Sequence, residues 1–476
     1  MAPEFRKAFV VVEIAPPEDH AAAILSEIEL RFQEALALTA AVSPESFANF
    51  ARHLDPGWIE EGLLSTETAT LRRRRLPADR MIWAVIGMAL MRDRSIAEVV
   101  RLLELALPGA DGEGSVAPSA IVQARARLGP DPVAWLFHRT GSQWGTRSAE
   151  ADQWRDLSLF AVDGTTLRAP DSPKNRKHFG SQKSGKRGPT AYPQVRLVTL
   201  MAVRSHLLVD ASFGPYGIDE RRYASQLWAS VPDNALVLID RGYLQANILV
   251  PLQQSGTNRN WLTRAKSTSK WKVLKRLGPG DALVEITVSN EARRKDPTLP
   301  KAYQARAIRY QRKGYPPSTL LTSLVDAKRY PAEELRVLYH ERWELELGFG
   351  EIKTEMLQRL ETIRSKSPQA VEQELWGLLV AYNLIRLEME RIADETGVSL
   401  LRVSFIAALR FIVDEWTWSA NTSSPGAIPR HLDDLRDKIR RFVLPPRRPE
   451  RSYPRAVKIK MSNYARKLPS TVRRAN

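Results

Sequence analysis

The chain has 476 residues and is 43% hydrophobic, enough for a large buried core and for two to four domains. It contains no cysteine, which excludes disulfides, thiolate zinc sites and cysteine nucleophiles, so any metal must be held by oxygen or histidine ligands. The 71 Lys+Arg against 54 Asp+Glu leave a net charge of +17, a field that attracts polyanions and makes nucleic acid the leading partner class.

The N-terminus, MAPEFRKAF followed by VVVEIAPPEDH, has acidic residues within its apolar stretch and no small-residue cleavage site, so no export signal is expected. The longest apolar runs, Met81 to Met91 and Leu375 to Tyr382, fall far short of the roughly 20 residues of a membrane-spanning helix. Residues 1–150 show helical periodicity with little strand signal. Ser95 and Glu98 form a capping-box pair ahead of an amphipathic stretch, Ile96 to Leu107. Pro118-Ser119 then opens a short helix, AIVQARARLG, expected to expose Gln123, Arg125 and Arg127 before Gly129-Pro130 stops it. That helix reads equally as a DNA-reading element or an ordinary solvated surface helix. The run Arg72 to Arg75 is ambiguous in the same way.

From Leu157 the pattern changes. LSLFAVDG reads as a buried strand, and QVRLVTLMAVRSHLLVDASFG as two strands around a tight turn at Ser205. Asp219 to Ser230 reads as a helix, ALVLID as a buried strand ending at Asp240, Tyr243 to Gln254 as a helix and NWLTRA as a strand. This alternation predicts an α/β mixed sheet. Residues 267–330 form a β-rich insertion (WKVLKRL, ALVEITV, AYQARAIRYQ, STLLTSL). Past Tyr330-Pro331 a long helix is expected to about Leu357, and Ser367-Pro368 opens another through QELWGLLVAYNLIRLEMERI. From Lys438 to the end there are 13 Lys/Arg and one acid among several prolines, an extended, phosphate-seeking tail. The expected division is 1–150, a helical N-terminal domain; 151–266, the first part of the core; 267–330, the insertion; 331–400, the second part of the core; and 401–476, a helical region with the basic tail.

Asp163 and Asp240 each directly follow a hydrophobic strand, where the sheet edge exposes side chains on a rigid backbone. Hard cations want oxygen ligands, and two-metal phosphoryl transfer needs carboxylates fixed on rigid elements. Each aspartate alone reads as readily as a turn or cap residue. The stretch YHERWELELGFGEIK adds Tyr339, Arg342, Glu346 and Lys353, which at about 100° per residue lie within roughly 60° of one another on a helix. Glu344 and Glu351 face elsewhere, which selects Glu346 as the carboxylate able to join the aspartates. Arg342 and Lys353 beside it suit phosphate, and Tyr339 offers a hydrogen-bonding ring.

At these residues the chain resembles the bacterial insertion-sequence-four family of transposases. The resemblance is carried by FAVDGTTLRAPDSPKN, PQVRLVTLMAV with LLVDASFGPY, LVLIDRGY, the Tyr-Arg-Glu-Lys signature from Tyr339 to Lys353, and RSKSP followed by QELWGLLVAYNLIR. It spans about residues 157–390 and implies a ribonuclease-H-like core interrupted by a β insertion. It further implies that Asp163, Asp240 and Glu346 coordinate two Mg²⁺ ions, with Mn²⁺ as a substitute, while Tyr339, Arg342 and Lys353 hold DNA phosphates. The implied partners are double-stranded DNA, both the element's terminal inverted repeats and the target, in a homodimer or larger synaptic complex with no membrane. The implied N-terminal domain binds the DNA ends, and the expected location is the bacterial cytoplasm with nucleoid association. A metal-dependent nuclease on the same core and a host-adopted DNA-binding protein are the rival functions.

Some relatives cut through a DNA hairpin that flips a base onto an aromatic before a strand resembling TLLTS. Here that position is Ser318, which leaves Tyr315, Trp261, Trp271 or Trp343 as stacking candidates. The segment from Pro170 to Pro193 carries Lys174, Arg176, Lys177, Lys183, Lys186 and Arg187 and is expected to be mobile until it orders on DNA. Its GSQKSGK run is not a nucleotide-binding loop, because Arg187 replaces the metal-binding hydroxyl and Gly188-Pro189 blocks the helix. The seven histidines show no zinc-protease spacing.

Overall fold

The computed structural model describes residues 54–69, 75–103, 105–106, 116–182, 192–311, 316–358, 362–421 and 443–444, and among these described residues five helices precede the first strand. They are α1 (Pro56–Ser65), α2 (Ala78–Leu90), α3 (Ile96–Leu102), α4 (Pro118–Leu128) and α5 (Asp131–Ala151). The expected capping box starts α3: Ser95 Oγ accepts from the Glu98 amide at 3.3 Å and Glu98 Oε2 from the Ser95 amide at 2.8 Å. Helix α5 lies so close to the sheet that a β-carbon on Gly141 would sit 2.7 Å from the Leu208 carbonyl oxygen.

The chain then enters β1 (Ser158–Arg168), a short helix α6 (Pro173–Phe179), β2 (Gln194–Ala202) and β3 (Leu208–Pro215). Helix α6 lies in a stretch expected to be mobile. Ser172 accepts from the Asn175 amide to start it, Pro173 fits its first turn, and Gly180, at φ +67°, ends it. Next come α7 (Glu220–Gln226), β4 (Ala235–Ile239), α8 (Ala246–Gln254) and β5 (Arg259–Arg264). The insertion supplies β6 (Lys272–Gly278), β7 (Asp281–Thr287), α9 (Asn290–Lys295), β8 (Ala302–Tyr310) and β9 (Ser318–Thr322). Helices α10 (Ala332–Glu341) and α11 (Trp343–Gly350), a wide π turn (Glu351–Met356), α12 (Pro368–Thr396) and α13 (Phe405–Asn421) complete the described elements.

The nine strands of the described residues belong to one sheet, in the order β3-β2-β1-β4-β5-β9-β8-β7-β6. The first five form the ribonuclease-H-like core: β1, β4 and β5 are parallel, and β2 and β3 fold back antiparallel. The insertion does not stand apart from this core, because β9 pairs antiparallel with β5 and carries β8, β7 and β6 outward. Alternate residues of β1 feed two hydrophobic clusters, since successive strand side chains point to opposite faces. Leu159, Ala161 and Leu167 join the cluster containing α2, α5 and the helices after Ala332, and Phe160 and Val162 join the cluster under α7 and α8.

Helix α12 is the central support of the first face. Its buried Asn383 accepts from the Leu208 amide at 2.9 Å and donates to the Leu208 carbonyl at 2.8 Å, so the helix is hydrogen-bonded to the β3 backbone. No helix among the described residues is long and apolar enough to cross a membrane.

Candidate active site

Two acids come together through strand register. Strands β1 and β4 run parallel with Val162 opposite Ile239, so Asp163 and Asp240 stand one step further on, where the pairing ends. Paired strands lie about 4.8 Å apart, which makes these two residues neighbours although they are 77 positions apart in the sequence. Asp240 leaves β4 and caps the next turn, its Oδ2 accepting from the Gly242 amide at 2.9 Å. Asp163 remains within β1, still paired with Thr199 of β2, and its Oδ1 accepts from the Gly164 amide at 2.8 Å.

The third acid arrives on the helical stretch after Pro331. Arg342, at the junction of α10 and α11, extends its fork between two carboxylates: Nη1 lies 3.3 Å from Asp163 Oδ2 and Nη2 2.9 Å from Glu346 Oε1. Tyr339 is buried, and burial pushes its hydroxyl up to about 12, with Arg342 opposing the shift and Asp240 adding to it. Lys353 Nζ lies 3.3 Å from Thr165 Oγ1, two residues beyond Asp163 on the same face of β1. The stretch is not one continuous α-helix. It is interrupted at Arg342 and widens from Glu351, where the Leu357 amide bonds to the Ile352 carbonyl five residues back.

The back of the stretch is occupied by other acids. Glu344 Oε2 lies 3.0 Å from Nε2 of the buried His206, and Glu351 accepts from Arg386 and from the Tyr382 hydroxyl at 2.9 Å. Paired Arg386 and His206 support the ionised form of Glu351 and hold it below the usual carboxylate range despite its burial.

Burial holds the Asp163 carboxyl up to about 7; the Gly164 amide and Arg342 oppose that shift, while Glu220 and Asp240 reinforce it. Several acids therefore share a partly buried site in which the Arg342 guanidinium lies against two of them. Among the described residues no three acidic or histidine side chains already form an ion cage, and Arg342 stands between Asp163 and Glu346. Hard carboxylate oxygens on three separate elements, in surroundings that favour added positive charge, fit a divalent cation.

The expected DNA contacts divide. Arg125 is corrected: its Nε donates to Gln373 Oε1 at 2.9 Å and its Nη2 to Ser365 Oγ and the Ala370 carbonyl, both at 3.2 Å, so it ties α4 to α12. Burial lowers its pKa. Arg127 is exposed, as are Lys174 and Lys177, while Arg176 is half-buried and donates to Asp171. Lys183, Lys186, Arg187, Tyr315, Arg72 to Arg74 and the basic residues from Lys438 onward lie outside the described residues. Trp261 is fully buried, with Tyr303 edge-on and its Nε1 donating to Gln253, so it is corrected from stacking candidate to core residue. Trp343 is exposed beside Arg342.

One acid at the site escaped sequence reasoning. Glu220 stands in the first turn of α7, where an acid suits the helix N-terminus, yet it packs against Gly164 and receives the Tyr243 hydroxyl.

The chain is a transposase of the DDE type. A family model described as "Transposase DDE domain" matches residues 154–384, and one described as "Insertion element 4 transposase N-terminal" matches residues 44–138. The chain is 39% identical over 413 residues to the transposase InsG for insertion sequence element IS4 of Escherichia coli, covering 87% of this chain and 92% of that protein. It is 40% identical over 222 residues to InsZ of the same organism, covering 47% of this chain and 73% of that protein. The chain belongs to the IS4 family of transposases. A solved structure of piggyBac transposase, in a synaptic complex with hairpin DNA, aligns over 91% of this chain and 92% of that one at 12% identity and a TM-score of 0.40. Divalent-metal dependence follows from the DDE domain.

Proposed function

We propose that Asp163, Asp240 and Glu346 hold two Mg²⁺ ions, with Mn²⁺ able to replace them. In this reading the protein cuts double-stranded DNA at the terminal inverted repeats of its element and joins the freed ends to target DNA. The observation that carries it is the Arg342 fork reaching from Asp163 to Glu346 at the place where β1 and β4 bring Asp163 beside Asp240. When bound, the paired ions supply Lewis-acid stabilisation and an activated water or 3′-hydroxyl nucleophile.

The protein's own groups orient the strand. Arg342 has the planar fork that matches a phosphate, Lys353 adds a point charge beside Thr165, and Tyr339 presents its hydroxyl from a buried ring. Arg127, Lys174 and Lys177 are the further described cations assigned to DNA, and Lys186 and Arg187 extend that set along the chain. The helical region 1–150 would hold the element ends, 151–266 with 331–400 would form the catalytic core around the 267–330 insertion, and 401–476 would add the basic tail. Two ends joined in one event call for a homodimer or larger synaptic assembly, working in the bacterial cytoplasm at the nucleoid.

The test is purified protein incubated with Mg²⁺ and DNA carrying the element's own termini. Wild type is expected to nick at the ends, and Glu346→Gln to bind them without cutting. Equal cleavage by both proteins would remove Glu346 from the site.

A further inference from the structure

Glu220 approaches the acids from the opposite side of the sheet to Glu346. Asp163 shares its β1 face with Leu159 and Ala161, which lie in the cluster containing Leu345 and Phe349, whereas Gly164 faces α7 with Val162. The Glu220 carboxyl rests on that glycine: a β-carbon at 164 would lie 2.5 Å from its Cδ and 2.7 Å from its Cγ and Oε1. Only a residue without a side chain leaves this space. Glu220 Oε1 accepts from the Tyr243 hydroxyl, and Oε2 lies 3.5 Å from Arg196 Nη1. Arg196 is in turn held by the Tyr216 carbonyl at 3.1 Å and by the Tyr216 ring, 4.6 Å from its guanidinium carbon.

Two of the contacts of Glu220, those with Gly164 and Tyr243, lead to a proposed metal ligand. Gly164 follows Asp163 and donates its amide to that carboxylate. Tyr243 is buried, and its amide donates to the Asp240 carbonyl at 3.0 Å. One carboxylate thus packs on the β1 segment bearing Asp163 and hydrogen-bonds to the turn bearing Asp240, at the point where the strands no longer hydrogen-bond to each other.

We infer that Glu220 is a positioning residue that sets the spacing of Asp163 and Asp240 for metal binding, acting through Gly164 and Tyr243. This rests on the reading that those aspartates hold the metal. Groups that orient metal ligands typically change metal affinity about 10- to 100-fold when removed. Nicking of terminal-repeat DNA is therefore measured against Mg²⁺ and Mn²⁺ concentration for wild type, Glu220→Ala, Glu220→Gln, Tyr243→Phe and Asp163→Asn, with DNA binding followed in parallel.

Glu220→Ala is expected to raise the half-maximal Mg²⁺ concentration at least about tenfold without changing affinity for the DNA ends. Glu220→Gln, which keeps an oxygen for Tyr243, is expected to restore most of the wild-type dependence. Tyr243→Phe should shift it in the same direction as Glu220→Ala and carries the test by itself if Glu220→Ala does not fold. An unchanged Mg²⁺ dependence in Tyr243→Phe and Glu220→Ala, with Asp163→Asn inactive, overturns the inference and leaves the catalytic reading standing. Glu220→Gln as inactive as Asp163→Asn overturns it in another way, by making Glu220 itself a required charge. Full nicking by Asp163→Asn instead brings down the catalytic reading.

Discussion

Neutralising Asp163 should change how the metal-free protein responds to pH. Its carboxyl is raised from an ordinary value of 3.8 to about 7, chiefly by burial, and its side chain is 21% exposed. Between those values the unfolded chain has lost the proton while the fold retains it. Unfolding then releases a proton, so stability falls as pH rises from about 4 to about 7 and levels off above that. At 1.36 kcal/mol per pH unit the full window corresponds to about 4 kcal/mol, a ceiling that local water and side-chain movement reduce. Asn at this position cannot ionise and removes that slope. Urea midpoints of chelator-treated wild type and Asp163→Asn, measured from about pH 5 to about pH 8, should separate by about 2 to 3 kcal/mol in favour of the variant as pH rises. Added Mg²⁺ should then stabilise wild type selectively. Parallel pH profiles, or equal stabilisation of both proteins by Mg²⁺, would refute the electrostatic argument.

The buried pair of Arg306 and Asp281 joins β8 to β7, with a 2.8 Å bond from Nε to Oδ1 and a second, parallel bond, and Arg306 also donates to the Tyr330 carbonyl ahead of the glutamate-bearing stretch. Arg306→Leu leaves an unpaired buried carboxylate and is expected to cost about 3 to 5 kcal/mol by chemical denaturation, with much of that recovered in Arg306→Met with Asp281→Leu. Gly377→Ala, within α12, places a β-carbon 2.6 Å from Val85 Cγ1 and 3.0 Å from the Val85 carbonyl oxygen. The roughly 1 kcal/mol gained in helix propensity is opposed by about 1 to 3 kcal/mol of overpacking against backbone that cannot swing aside, so calorimetry should show a lowered Tm.

Strands and helices were legible where a single segment carried the whole signal. ALVLI is short, wholly apolar and ended by Asp240, and it is β4, buried throughout. The capping box at Ser95 was readable because its two partners lie three residues apart. Partners distant in sequence were not readable. The polar surroundings of Arg125 suggested an exposed helix, DNA-reading or merely solvated, but Gln373 and Ser365 lie some 240 positions away on the structure it binds. The helical spacing singled out Tyr339, Arg342, Glu346 and Lys353, of which Arg342 reaches Asp163 and Lys353 reaches Thr165 on β1, but nothing local announced the π turn that carries Lys353. Glu220 was hidden for a different reason: an acid in a helix's first turn already has an adequate local explanation, and only the register of β1 brings Gly164 beneath it.

The join between β5 and β9 bears on any attempt to trim the protein. Its outermost strand, β6, is short, irregular in register and lined with Lys272, Lys275 and Arg276, features that discourage another chain from adding to a sheet edge. Removing β6 through β8 would transfer that terminal position to β9, whose Leu320 and Leu321 are wholly buried and whose backbone is paired on both sides. The shortened protein would carry an unguarded, sticky border and would be expected to self-associate, so its poor behaviour in solution would say little about whether the excised strands contribute to DNA cutting.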